Sequence, residues 1–104
     1  MTKIYLSGKI TGTSDYESRF AEAQKKMEEK GYEVLNPVKC GKWLERQLAP
    51  QAPTWIQYMK QAISAMMKAD CIYMLKGYKD SKGARVELFL ARILQYKIFY
   101  EGEK

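Results

Sequence analysis

The residues able to do chemistry in this 104-residue chain concentrate in one stretch, Lys79-Asp80-Ser81-Lys82-Gly83-Ala84-Arg85-Val86-Glu87. Their types and spacing describe a loop entering a helix. The start of a helix offers free backbone N–H groups and the positive end of a dipole. Ser81 and Gly83 suit the holding of a phosphate or another anion there. Glu87 lies a turn further in. On a helix over 83–95, at about 100° per residue, it falls inside an apolar arc of Val86, Phe89, Leu90, Ile93 and Leu94, extended by Ala84, Leu88 and Ala91. No Lys or Arg stands three or four residues from it to form a local pair. Such a carboxylate, kept ionised by the dipole yet partly desolvated, can attack an electrophilic sugar carbon, as in retaining glycosyl transfer. Tyr5 on the first apolar run is a candidate to orient it. Plainer roles stand beside these. Glu87 can cap a backbone group or pair with a distant cation, Ser81 can be a simple N-cap, and Tyr5 can be core.

The elements that must position these groups follow from periodicity and punctuation. Residues 3–7 form a short buried strand ended by Gly8. The loop Gly8-Lys9-Ile10-Thr11-Gly12-Thr13 has two glycines that allow positive φ or close approach of a ligand, or serve only as turn residues. Ser14 and Glu17 are spaced as a capping box. The helix they open carries Tyr16, Phe20, Ala23 and Met27 on one face and ends at Gly31. A second strand, 32–35, is closed by Asn36-Pro37. Trp43, Leu44 and Leu48 mark a short helix, and Ala49 to Pro53 is a stiff connector of the kind that forms binding lids. Thr54 and Gln57 make a second capping box. The stripe after it, Trp55, Tyr58, Met59, Ala62, Ile63, Met66 and Met67, reads as core. Strands over 71–75 and 97–100 flank the helix that bears Glu87, and a polar tail runs from Glu101 to Lys104.

This order predicts an α/β sandwich on a mainly parallel four-stranded sheet. Right-handed crossovers favour strand order 2-1-3-4. The order then reverses between the first and third strands, and ligands bind at such a switch point, beyond the carboxyl ends of the strands. The segments Ser7–Gly12 and Lys76–Glu87 both reach that crevice. Topology therefore brings Glu87 and the glycine loop together.

Composition bounds what this crevice can do. A chain of this length is one small domain, here 1–104, and its 46% hydrophobic and 29% charged residues are those of a globular protein. No apolar run approaches the ~20 residues of a membrane span, and a strand begins too early for a secretory leader. Two cysteines, Cys40 and Cys71, are too few for a disulfide framework, which points to a reducing, cytoplasmic setting. The absence of His removes imidazole metal sites and Ser/His or Cys/His nucleophile pairs, so carboxylates, hydroxyls and tyrosines must carry any chemistry; no metal or cofactor is expected. The net charge of +6 comes from dispersed lysines, a solvated basic surface rather than a nucleic-acid stripe.

Several of these segments also resemble a known family. Ile4-Tyr5-Leu6-Ser7-Gly8-Lys9-Ile10-Thr11-Gly12, Asn36-Pro37, Ala69-Asp70 and above all Ser81-Lys82-Gly83-Ala84-Arg85-Val86-Glu87 resemble a small bacterial and phage domain of unknown function related to the nucleoside 2-deoxyribosyltransferases. The resemblance spans nearly the whole chain. It implies a flavodoxin-like three-layer fold and cleavage or transfer of the N-glycosidic bond of a deoxynucleoside or its 5′-monophosphate. It implies Glu87 as nucleophile, Tyr5 as its positioning partner, and Ser81 as a phosphate contact. Residues Ser7, Gly8, Lys9, Ile10 and Gly12, with Gly83, would lie on the substrate side. It also implies a homo-oligomer, a dimer or larger. Two positions depart from the pattern. Ala62, beside Gln61, stands where the enzymes carry an acid/base Asp, and Phe89 stands where a small Gly is usual. Asp80 is the nearby carboxylate able to substitute in part. A non-catalytic module binding a nucleotide or sugar phosphate is the alternative.

Overall fold

The structure, a computed structural model, describes residues 1–102; the last two residues of the expected polar tail lie outside the described residues. Four strands and four helices follow one another as β1 (Lys3–Ser7), α1 (Tyr16–Glu29), β2 (Glu33–Leu35), α2 (Pro37–Leu48), α3 (Trp55–Met66), β3 (Cys71–Met74), α4 (Lys82–Ile93) and β4 (Lys97–Tyr100). A 3₁₀ turn, Tyr78–Asp80, precedes α4. All strand pairs are parallel and the order is β2-β1-β3-β4, as the crossover argument requires. Tyr5 pairs with Leu35 on one side and Ile72 on the other.

Helices cover both faces of the sheet, which makes three layers. Ile4 and Leu6 of β1 pack with Cys71, Tyr73 and Leu75 under Phe20, Ala23 and Met27 of α1. Tyr5, Ile72 and Met74 face the other way, against Ala65 and Met66 of α3 and Ala84, Leu88 and Ala91 of α4. Burying each large side chain of these layers stabilises the fold by roughly 1.5–3 kcal/mol. Among the described residues no helix is long and apolar enough to cross a membrane.

Four local expectations are corrected. α1 starts at Tyr16 behind Asp15 without any side-chain cap, because Glu17 turns outward to Lys42, 3.1 Å away, instead of back to Ser14. The Asn36-Pro37 pair opens a helix rather than merely closing a strand: the Asn36 carboxamide accepts from Val38 N and Pro37 takes the first turn. Segment 38–48 is one continuous helix, longer than the short one expected, while the connector 49–53 stays outside the helices. α4 is also rotated from the predicted arc. Its buried stripe is Ala84, Glu87, Leu88 and Ala91, while Phe89 and Ile93 are 62% and 59% exposed. One sheet face is too narrow to cover so wide an apolar arc, and it takes the smaller side chains that allow close approach. The second capping box forms as expected, Thr54 and Gln57 exchanging side-chain and backbone bonds.

Candidate active site

Strand alternation builds the floor of the site. Ile4 and Leu6 point to α1, so Tyr5 and Ser7 point to α4. Above them the helix period brings Glu87 onto the buried stripe, where it is only 5% exposed. Tyr5 donates its hydroxyl to Glu87 Oε2 at 2.8 Å, and Ser7 donates to Oε1 at 2.6 Å. Each carboxylate oxygen thus receives one neutral donor, and the shorter distance is that of a charge-assisted bond. Among the described residues no cation joins them.

Desolvation dominates the electrostatics. Burial pushes the Glu87 carboxyl up to about 7, against the pull of Ser7 and then Tyr5, whose bonds favour the charged form. The Tyr5 phenol is held well above its ordinary value, first by burial and then by the neighbouring carboxylate. Near neutral pH Glu87 therefore exists in both protonation states, a condition suited to a group that must carry negative charge only transiently.

A cavity of about 270 Å³ opens over this carboxylate, with Tyr5 and Glu87 in its lining. The topology explains its place. β1 leads into α1 on one face, β3 leads toward α4 on the other, and the diverging loops leave a crevice. Gly8, Ile10 and Thr11 form the rim after β1, and Gly83 and Ala84 form the wall at the start of α4. A Cβ on Gly8 would sit 2.9 Å from Leu75 Cβ and 3.3 Å from the Phe20 ring, so close packing rather than positive φ requires this glycine. A Cβ on Gly83 would lie 3.0 Å from Met59 Sδ, so its absence lets α3 and α4 approach. The remaining wall comes from Tyr16, from Lys42 and Glu45 of α2, and from Trp55, Tyr58 and Ala62 of α3.

The structure brings together Glu87, Tyr5, Ser7, Gly8, Ile10 and Gly83. Lys9 and Gly12 lie in the same loop but outside the cavity lining; Gly12 has φ +82°, so the turn itself needs a glycine there. The Ser81 hydroxyl accepts from Ala84 N at 3.1 Å and caps α4. Asp80 belongs to the 3₁₀ turn and lines a second, separate concavity with Tyr100 and Glu101. Ala62 and Gln61 both line the main cavity.

Sequence reasoning missed the α2 and α3 wall. Trp55, Tyr58, Met59 and Ala62 stand at helical spacing, and that stripe was expected in the core; only Ala65 and Met66 of α3 are fully buried. The available signal was polar: Tyr58 carries a hydroxyl that a closed apolar core would leave unpaired. Among the described residues no three His, Cys, Asp or Glu side chains cluster to hold a metal ion.

Comparison with known proteins bears on the family and the fold. No curated protein sequence matches the chain. Among solved structures it is similar to a 2-deoxyribosyltransferase from the psychrotolerant bacterium Bacillus psychrosaccharolyticus, with a TM-score of 0.66. The two are 21% identical, over 99% of this chain and 76% of that one, a likeness of fold. The family model described as "Domain of unknown function (DUF4406)" matches residues 2–100, and with that span covered the chain belongs to this family.

Proposed function

We propose that this protein binds a deoxynucleoside or its 5′-monophosphate and breaks or transfers its N-glycosidic bond, with Glu87 as nucleophile. The observation that carries the reading is the buried carboxylate at the cavity floor, held on both oxygens by Tyr5 and Ser7 and, among the described residues, paired with no cation. In its ionised form Glu87 attacks the anomeric carbon of the sugar. The carbon–nitrogen electron pair leaves with the base, which takes up a proton from solvent, and a glycosyl ester forms on Glu87. Water or a second base then attacks the same carbon and restores the carboxylate. The two hydroxyl donors hold the attacking group in one rotamer and share its charge. The fold it shares with a 2-deoxyribosyltransferase supports the same reading.

A second reading is favoured by Ala62. It lines the wall without an acidic group to protonate the leaving base, and losing a general acid typically slows such a reaction ~10²–10⁴-fold. On that reading the protein is a non-catalytic module that retains a nucleotide or sugar phosphate. Both readings take the chain as one cytoplasmic domain working on a small molecule, without membrane or nucleic acid. Both also take it as a homo-oligomer, which the exposed Phe89 and Ile93 on α4 support.

Incubation with the deoxynucleosides and their monophosphates, followed by chromatography for free base, tests the leading reading. Wild type is expected to release base, and Glu87→Ala to lower the rate on the order of 10⁴-fold or more. Equal rates for the two proteins would overturn catalysis at this site. Binding without release would establish the second reading.

A further inference from the structure

The cavity holds a second carboxylate, Glu45, contributed by α2. Its Oε2 accepts the Tyr58 hydroxyl from α3 at 2.7 Å. A phenol has one proton, so this bond leaves the Tyr58 oxygen with lone pairs only. The bond, followed by burial, holds that proton in place, with the phenol pushed up to about 12. Among the described residues no protein donor reaches Glu45 Oε1. The pair therefore offers two acceptors and no donor. The cation beside it in the wall, Lys42, already carries the Glu17 carboxylate at 3.1 Å.

Position gives this edge a ligand. Glu87 and Tyr5 come from the sheet end of the cavity, and Glu45 and Tyr58 come from the helical wall. A nucleoside with its anomeric carbon at Glu87 can direct its base away from the sheet toward that wall, which lines the same cavity. Tyr16 and Trp55 supply aromatic faces there for stacking. What remains to be read is the hydrogen-bonding edge of the base.

We infer that Glu45 and Tyr58 select the base by its N–H donors, favouring guanine over thymine and uracil. Guanine presents a ring N–H and an exocyclic amine side by side, which match two neighbouring acceptors. Thymine and uracil present one N–H flanked by two carbonyls, and those carbonyls meet the lone pairs of Glu45 and Tyr58 unfavourably. The inference rests on the nucleoside reading of the site. A simple tie between α2 and α3 would use the same hydrogen bond but would leave ligand choice untouched.

Glu45→Gln separates the two. Its amide carbonyl still accepts the Tyr58 hydroxyl, so the tie survives, while its amide nitrogen replaces a free acceptor with donors. Dissociation constants for deoxyguanosine, thymidine and deoxyuridine are measured by calorimetry on wild type, Glu45→Gln and Tyr58→Phe, with folding of each checked by circular dichroism. Wild type is expected to bind deoxyguanosine at least ~10-fold tighter than thymidine. Glu45→Gln is expected to erase or reverse that ratio. Tyr58→Phe, which leaves the Glu45 carboxylate in place, is expected to reduce the ratio only in part and supplies the test if Glu45→Gln does not fold. Nucleoside binding with no preference for guanine, or a preference that neither variant moves, would overturn the inference and leave the nucleoside reading standing. Failure of folded wild type to bind any of the three would overturn the inference, and failure to bind the deoxynucleoside 5′-monophosphates as well would overturn the nucleoside reading with it.

Discussion

The two faces of β1 make opposite uses of the same five residues. On the α1 side Ile4 and Leu6 pack into an apolar layer with Phe20, Met27 and Leu75. On the α4 side Tyr5 and Ser7 meet a buried carboxylate. One face gains stability from the apolar surface it buries. The other buries a group whose charged form is disfavoured there, and it compensates with two hydroxyls rather than with a cation. A cation would have given a stable ion pair and an unreactive carboxylate. Two neutral donors orient Glu87, leave lone pairs free, and keep its proton exchangeable near neutral pH.

The largest stability effect should therefore come from the apolar face. Leu6 is fully buried, and Leu6→Ala is expected to cost about 2–5 kcal/mol, measured by urea unfolding. Nucleoside affinity of the folded fraction should stay close to wild type, because Leu6 is absent from the cavity lining. If Leu6→Ala weakened ligand binding as strongly as it weakened the fold, the division of labour between the two faces would be wrong.

Next in size is the pH dependence of stability. Glu87 titrates near 7 in the folded protein against an ordinary 4.5. Between those values the folded state holds a proton that the unfolded state has released, so stability falls as pH rises through this window. The contribution is fully present below about 4.5 and is lost above about 7. The difference amounts to ~3 kcal/mol at 1.36 kcal/mol per pKa unit. Glu87→Gln carries no such proton, so its stability from pH 4.5 to 8 should lack this fall and exceed wild type at the alkaline end. The same substitution that removes the nucleophile would then stabilise the fold. Parallel stability curves for the two proteins would show that the carboxylate is not buried as the structure has it.

How much of this was visible in the sequence depends on how many meanings each pattern had. Strand alternation and the crossover rule have few alternatives, so the sheet order follows from them. Glu87 was visible because a charge inside an apolar stripe contradicts its neighbours. Asn36-Pro37 was ambiguous, since Asn before Pro suits both a turn and a helix start, and α2 buries no residue fully that would have marked its face. The α3 stripe had two meanings as well. An aromatic row at helical spacing looks the same whether it faces a core or a cavity. Tertiary packing alone decided how far α4 turned, and it left Phe89 outside. Ser81 shows the same limit: its place before the helix fits an N-cap or an anion contact, and its hydroxyl is engaged with Ala84 N.

The finest test lies within the polar face itself, between Ser7 and Tyr5. Both bonds favour ionised Glu87, with Ser7 the stronger influence. Removing either hydroxyl while keeping the fold must push the Glu87 titration further up. Ser7→Ala should raise it more than Tyr5→Phe, although Tyr5 is the larger side chain and lines the cavity. The readout is the acid limb of the pH–rate profile or, without turnover, the carboxyl resonance of Glu87 followed by NMR. A downward shift in either variant would mean that the hydroxyls hold the protonated acid rather than the carboxylate. In that case Glu87 would rest in the cavity as a neutral acid able to donate a proton, and the nucleophilic role would have to be given up.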